Sequence, residues 1–97
     1  MDRMIYLNTL YDIYKELFTE KQKQYYESYY FDNLSLSEIA ENYKVSRNAV
    51  FNQLKIIEEK LLEYEEKLKL HEKQDKILRV LEKKSNKDVY EEIKRIM

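Results

Sequence analysis

Five side chains between residues 47 and 55 have the types and the spacing to contact DNA: Arg47, Asn48, Phe51, Asn52 and Lys55. On a helix these positions share one face, so all five would project together. The Arg47 guanidinium can donate two parallel bonds to guanine, and the amide of Asn48 or Asn52 can pair with adenine in the same two-pronged way. Phe51 can touch a thymine methyl, pack on a neighbouring helix or meet another subunit. Lys55, one turn further on, suits phosphate, as do Ser35, Ser37 and Lys44 near two candidate helix starts.

Such residues need a rigid support, and the stretch from Leu34 to Leu54, LSLSEIAENYKVSRNAVFNQL, supplies one. Ser35 and Glu38 have the Ser-x-x-Glu spacing of a capping box, which fixes the start of a first helix. Leu36, Ile39, Ala40 and Tyr43 form its apolar stripe. Ser46 reads as the N-cap of a second helix whose Ala49, Val50, Leu54 and Ile57 face inward. Small Ala40 allows the two helices to cross closely, and Val45 plugs the turn. This is a helix-turn-helix over residues 34–57, an arrangement that lays its second helix in the major groove. No alternating segment or turn dipeptide follows Ile57, so no β-wing is expected.

Composition sets the bounds. The chain has 97 residues, 38% charged and 43% hydrophobic, enough for one small core. It contains no glycine and no proline, which removes tight hairpins and Gly-rich phosphate loops and points to an all-α protein. It has no cysteine, which excludes disulfides, thiol nucleophiles and thiolate metal sites and suits a reducing cytoplasm. The start, MDRMIYLNTLYDIYKELF, has no apolar run of the signal-peptide kind, and nowhere do about 18 uninterrupted apolar residues occur, so no membrane span is expected. Net charge is −1, whereas many autonomous DNA binders are strongly basic. From Leu36 to Ile57 three cations (Lys44, Arg47, Lys55) face Glu38 and Glu41. Three phosphate contacts give a shallow salt slope of about −3, so a dimer, a partner protein or a structured RNA must supply the remaining affinity.

The flanking segments read as further helices. From Arg3 to Phe18 the residues Leu7, Leu10, Tyr11, Tyr14, Leu17 and Phe18 make one broad face. Thr19 with Gln22 is a second capping box, opening a helix at about Glu20. That helix carries Tyr25, Tyr26, Tyr29 and Tyr30 and stops near Asp32 and Asn33. Aromatic rings can stack on unpaired bases, but a wide stripe at this spacing is core or interface, with hydroxyls at its wet edge. Past the helix-turn-helix, Val50, Leu54, Ile57, Leu61, Tyr64, Leu68 and His71 step as a heptad seam. The chain offers little to cover that seam, which predicts a homodimer through the long helix or the N-terminal helix. The stripe then moves to Leu70, Ile77, Leu78 and Leu81, predicting a break between Glu72 and Asp75. Ser85 and Asp88 mark a short last helix with Val89, Ile93 and Ile96 inward. The organisation expected is a helical domain over 1–60, a long charged extension over 61–84 and a short terminal helix over 85–97.

Little else suggests chemistry. His71 is the lone histidine and has no cysteine beside it, so zinc and iron lack their usual ligands and an interface role fits better. Glu58, Glu59, Glu65 and Glu66 read as exposed helix surface, with no pocket to perturb them for acid or base work. The expectation is no enzyme, no metal, no cofactor and no small-molecule substrate.

The segment TEKQKQYYESYYFDNLSLSEIAENYKVSRNAVFNQLKIIEEKLLEYEEKLKL resembles the YlxM family of small bacterial helix-turn-helix proteins. The likeness covers roughly Leu7 to Leu81. It is most specific at Leu34-Ser35-Leu36 with Glu38-Ile39-Ala40, at Val45-Ser46-Arg47 with Ala49-Val50, and at Tyr64-Glu65-Glu66-Lys67-Leu68. The helix-turn-helix itself is similar to region 4 of sigma factors, which reads promoter DNA. The resemblance implies a cytoplasmic bacterial protein linked through gene neighbourhood to the signal recognition particle and its targeting GTPase. It also implies DNA binding and a regulatory role in that pathway. Lys44 departs from the general pattern, which often has glycine in the turn.

Two readings follow. In the first, the chain is a DNA-binding regulator whose contacts are Arg47, Asn48, Phe51, Asn52, Lys55, Ser35, Ser37 and Lys44. In the second it is an adaptor for the particle's RNA or protein that ignores duplex DNA, with Phe51, the tyrosines and the long helix as its surface. A plainer third reading is a helical module that only holds a partner's helices together.

Overall fold

A computed structural model describes residues 2–83 and Lys94, and among these there is no β-strand and no β-wing. Helix α1 spans Arg3–Tyr14 and is capped by Asp2, whose carboxylate accepts the Met4 amide at 2.7 Å. A 3₁₀ turn, Lys15–Leu17, tightens the chain after it. That change of pitch turns Leu17 outward, 55% exposed, while Phe18 is buried, so the single face expected from Arg3 to Phe18 ends at Tyr14. Helix α2, Glu20–Tyr30, opens on the Thr19–Gln22 capping box, with both reciprocal bonds at 3.1 Å. Asn33 (φ 59°) carries the chain round into α3, Leu36–Tyr43. Helices α4, Arg47–Leu68, and α5, Leu70–Lys83, follow.

The core forms around α4. Leu7, Leu10 and Tyr14 of α1, Tyr25 and Tyr26 of α2, and Ile39 and Ala40 of α3 close over Val50, Leu54, Ile57 and Leu61. Each aliphatic side chain so buried contributes about 1.5–3 kcal/mol before chain entropy is subtracted. The heptad seam is therefore covered from within one chain as far as Leu61, where Val50, Ile57 and Leu61 are fully buried, while Leu68 near its end is 45% exposed. The homodimer was expected because the chain offers too little to cover this seam; α1, α2 and α3 supply that cover over Val50 to Leu61.

The tyrosines divide by position. Tyr25 and Tyr26 are core, and the Tyr11 and Tyr26 rings stack with centroids 4.1 Å apart. Their hydroxyls find carboxylate or amide acceptors: Tyr26 donates to Asn8 Oδ1 at 2.7 Å, Tyr11 to Glu27 at 2.6 Å, and Tyr30 to Glu58. Burial, reinforced by neighbouring carboxylates, pushes the phenols of Tyr11, Tyr26 and Tyr30 well above their ordinary range. Tyr29 is 38% exposed.

The break falls earlier than expected. Helix α4 stops at Leu68 and Lys69 takes a left-handed conformation (φ 53°), whereas the stripe predicted a break between Glu72 and Asp75. The cause is Glu65. Far from being exposed surface, it is only 9% exposed and accepts the Tyr14 hydroxyl at 2.7 Å and the amides of His71 and Glu72 at 3.1 and 3.2 Å. The Tyr14 oxygen in turn accepts the Leu70 amide at 3.2 Å. A carboxylate one turn back thus caps the first turn of α5 and ends α4 beneath it. His71 accordingly leaves the α4 seam and packs edge-on against Tyr6 of α1, ring centroids 6.0 Å apart. Glu58, likewise expected on open surface, is half-buried and holds Tyr30. Along α5, Ile77 and Val80 remain exposed. The terminal helix expected over 85–97 lies outside the described residues, save Lys94, which is helical. Among the described residues no helix is long and apolar enough to cross a membrane.

Candidate nucleic-acid interface

The turn between α3 and α4 is built from backbone bonds and three side chains. Ser35 and Glu38 make both bonds of the capping box at 3.1 Å, and this hydrogen bonding holds the Glu38 carboxyl below its ordinary range. At the other end of α3 the Val45 amide reaches back to the Ala40 carbonyl at 3.0 Å and the Lys44 amide to Glu41 at 3.3 Å, the paired bonds of a Schellman motif. The left-handed residue that motif requires is Lys44 itself (φ 56°), so the turn manages without glycine. Ser46 then caps α4 by accepting the Ala49 amide at 3.0 Å. Buried Ala40 and half-buried Val45 pack on the core behind the turn.

With α4 anchored by Val50 and Leu54, its opposite face is open. Arg47, Asn48, Phe51, Asn52 and Lys55 are all exposed along it, Phe51 to 52%. Ser35, Ser37 and Lys44 are also exposed, Ser35 and Ser37 around the start of α3 and Lys44 at its end. The Ser35 hydroxyl spends a lone pair on its cap but keeps its proton to donate.

Two hollows flank this face. On the Phe51 side, a cavity of about 450 Å³ is lined by Phe51, Tyr29, Tyr30 and Leu36, with Arg3 and Lys55 among its polar residues. Arg3 lowers, and Glu58 raises, the tendency of the Tyr30 hydroxyl to keep its proton. Ser35 borders an adjoining hollow that shares Tyr29 and Tyr30. On the Asn52 side, a hollow of about 520 Å³ is lined by Asn52, Gln53, Gln22, Lys21 and Tyr25, and the Lys21 ammonium lies 5.9 Å from the centre of the Tyr25 ring. Arg3, Lys21 and Gln22 thus join the neighbourhood without having been singled out as contacts, and Tyr29 and Tyr30, expected only in the adaptor reading, line the Phe51 side. Gln53 also lines the Asn52 side and was not anticipated; Arg3, Lys21 and Gln22 come from α1 and α2 and carried no local signal.

Among the described residues no group of three or more His, Asp or Glu side chains is placed to hold a metal ion, and the chain has no cysteine.

Comparison with known proteins agrees with this architecture. Residues 1–97 match the family described as "Putative helix-turn-helix protein, YlxM / p13 like". The chain is 41% identical over 100 residues to a UPF0122 protein of Oceanobacillus iheyensis, covering 99% of this chain and 95% of the relative. It is 44% identical over 95 residues to one from Halalkalibacterium halodurans (95% and 87% covered) and 47% identical over 79 residues to one from Listeria welshimeri (78% and 72% covered). The chain belongs to the YlxM/UPF0122 family of small helix-turn-helix proteins.

Proposed function

We propose that this protein is a nucleic-acid-binding regulator, not an enzyme, which lays the N-terminal half of α4 in the major groove of DNA. The observation that carries the reading is the open ridge of Arg47, Asn48, Phe51, Asn52 and Lys55 on a helix whose opposite face is locked into the core. Arg47, Asn48 and Asn52 read base edges, while Lys55, Ser35, Ser37 and Lys44 hold phosphates. A cytoplasmic role in the signal recognition particle pathway rests on the family resemblance. A homodimer would double the cations presented to DNA, and exposed Ile77 and Val80 of α5 are the surface a second copy would use.

The test is selection of a DNA site followed by Arg47→Ala. Specific binding should weaken by about 1–3 kcal/mol with the helical circular dichroism unchanged. Unaltered affinity for the selected site removes Arg47 from the interface. A second reading, an adaptor for the particle's RNA or protein, is favoured by the net charge of −1. Titration against random duplex, particle RNA and particle protein at two salt concentrations separates the two: duplex binding that falls with salt on the shallow slope of about three phosphate contacts supports the first, and saturable binding to the RNA or protein alone supports the second.

A further inference from the structure

The hollow on the Phe51 side has a composition that a groove-reading helix does not need. Phe51 and Tyr29 present exposed rings, and half-buried Tyr30, held by its bond to Glu58, and half-buried Leu36 line the hollow with them. Its volume, about 450 Å³, lies within the usual range of small-molecule clefts, roughly 300–1,000 Å³. Two cations, Arg3 and Lys55, also line it. Aromatic faces beside cations are the chemistry of an unstacked nucleotide, with the rings holding the base and the cations its phosphate. Of the two carboxylates present, Glu58 is engaged by Tyr30, and Glu59 is left to accept from an exocyclic amino group.

We propose that this cavity receives a single unpaired, amino-bearing nucleobase extruded from the nucleic acid bound along α4. The inference rests on the α4 reading above and sharpens it: the preferred target is a duplex interrupted by a bulge. It also answers the weak field of the interface. A base that is already unpaired needs no energy to break a pair, and stacking adds affinity that few phosphate contacts supply. Whether the strand is DNA or RNA does not alter the chemistry of the pocket, so both must be tried.

The experiment measures fluorescence anisotropy of the full chain with DNA and RNA hairpins, each with and without one bulged adenosine. In parallel, amide signals are followed by NMR as adenosine monophosphate is added. The bulged hairpin should bind on the order of tenfold more tightly than its perfect counterpart. Tyr29→Leu, which keeps bulk but not the stacking face, should bring that ratio to about one, and Tyr29→Ala should do the same. The bulged DNA and RNA arms identify the strand. If perfect and bulged hairpins bind equally, the cavity inference is overturned and the α4 reading stands. If neither hairpin binds but the nucleotide shifts Tyr29 and Phe51, the α4 reading falls and the cavity is supported. If neither hairpin binds and the nucleotide moves nothing there, both are overturned.

Discussion

The two ends of α4 are fixed by different means. Near Arg47 the helix is held by bonds that span three to five residues: the Ser46 cap, the Ser35–Glu38 box and the Schellman pair closing on Lys44. Near Leu68 it is held by bonds that span 51 and 56 residues, from Tyr14 to Glu65 and from the Leu70 amide to Tyr14. The near end can form as soon as the local chain folds. The far end has its own local bonds, from the His71 and Glu72 amides to Glu65, but the bonds through Tyr14 are completed only once α1 has docked. A helix face built on the first kind of support is preorganised, as the proposed groove contact requires; the second kind ties the position of α5 to the integrity of the whole core.

The largest effect should come from removing the hub of the far end. Glu65→Ala leaves the Tyr14 hydroxyl and the amides of His71 and Glu72 without their acceptor, and should destabilise the fold by about 2–4 kcal/mol. Ser46→Ala, at the near end, removes one cap and should cost about 1 kcal/mol. Urea denaturation gives both numbers, and hydrogen exchange adds where the loss falls. For Glu65→Ala the amides of Leu70, His71 and Glu72 should lose protection first. Equal destabilisation by the two substitutions erases the distinction between the ends.

Alkali provides a second, graded test. Burial first, then the bond to Glu65, pushes the Tyr14 phenol from 10.0 up to about 12. The folded state thus retains a proton that the unfolded chain releases, so stability is full below pH 10 and drains away between pH 10 and about 12. Tyr11, Tyr26 and Tyr30 are shifted in the same sense and steepen the fall. Thermal midpoints should drop through this window, and Tyr14→Phe should flatten part of the slope. A midpoint indifferent to pH above 10 argues against phenols buried on carboxylates.

This division also explains what could be read from the chain alone. Both capping boxes, the Ser46 cap, the inward stripe of α4 and the turn at Asn33 depend on residues a few positions apart, and each lies where spacing placed it. The open ridge on α4 followed from the same periodicity. What spacing could not convey was contact between distant segments. Glu65 looks like any charged residue of a solvated helix until Tyr14 arrives over it. The seam looked uncovered because nothing local says that α1 lies along it. The aromatic cavity was hidden for the same reason, since Arg3, Tyr29 and Phe51 meet only through the tertiary fold.

The smallest predicted effects bear most directly on the comparison, because each end of α4 is flanked by a lysine in a left-handed conformation, Lys44 at φ 56° and Lys69 at φ 53°. A non-glycine residue there pays roughly 1–2 kcal/mol, partly offset by the greater freedom glycine brings to the unfolded chain. Lys44→Gly should therefore raise global stability by about 0.5–1 kcal/mol, since the Schellman bonds do not involve the side chain. Lys69→Gly has a second consequence. The stretch from Glu66 to Lys73 contains no helix breaker, so the bend competes with one continuous helix running from α4 into α5. Glycine disfavours that competitor as well as relaxing the bend. Its signature should be slower exchange at Leu70 to Glu72, by a few-fold, beyond any change in global stability. If Lys69→Gly instead acts only globally, as Lys44→Gly does, then the α4–α5 joint has no straight alternative and is as firmly determined as the turn that carries Arg47.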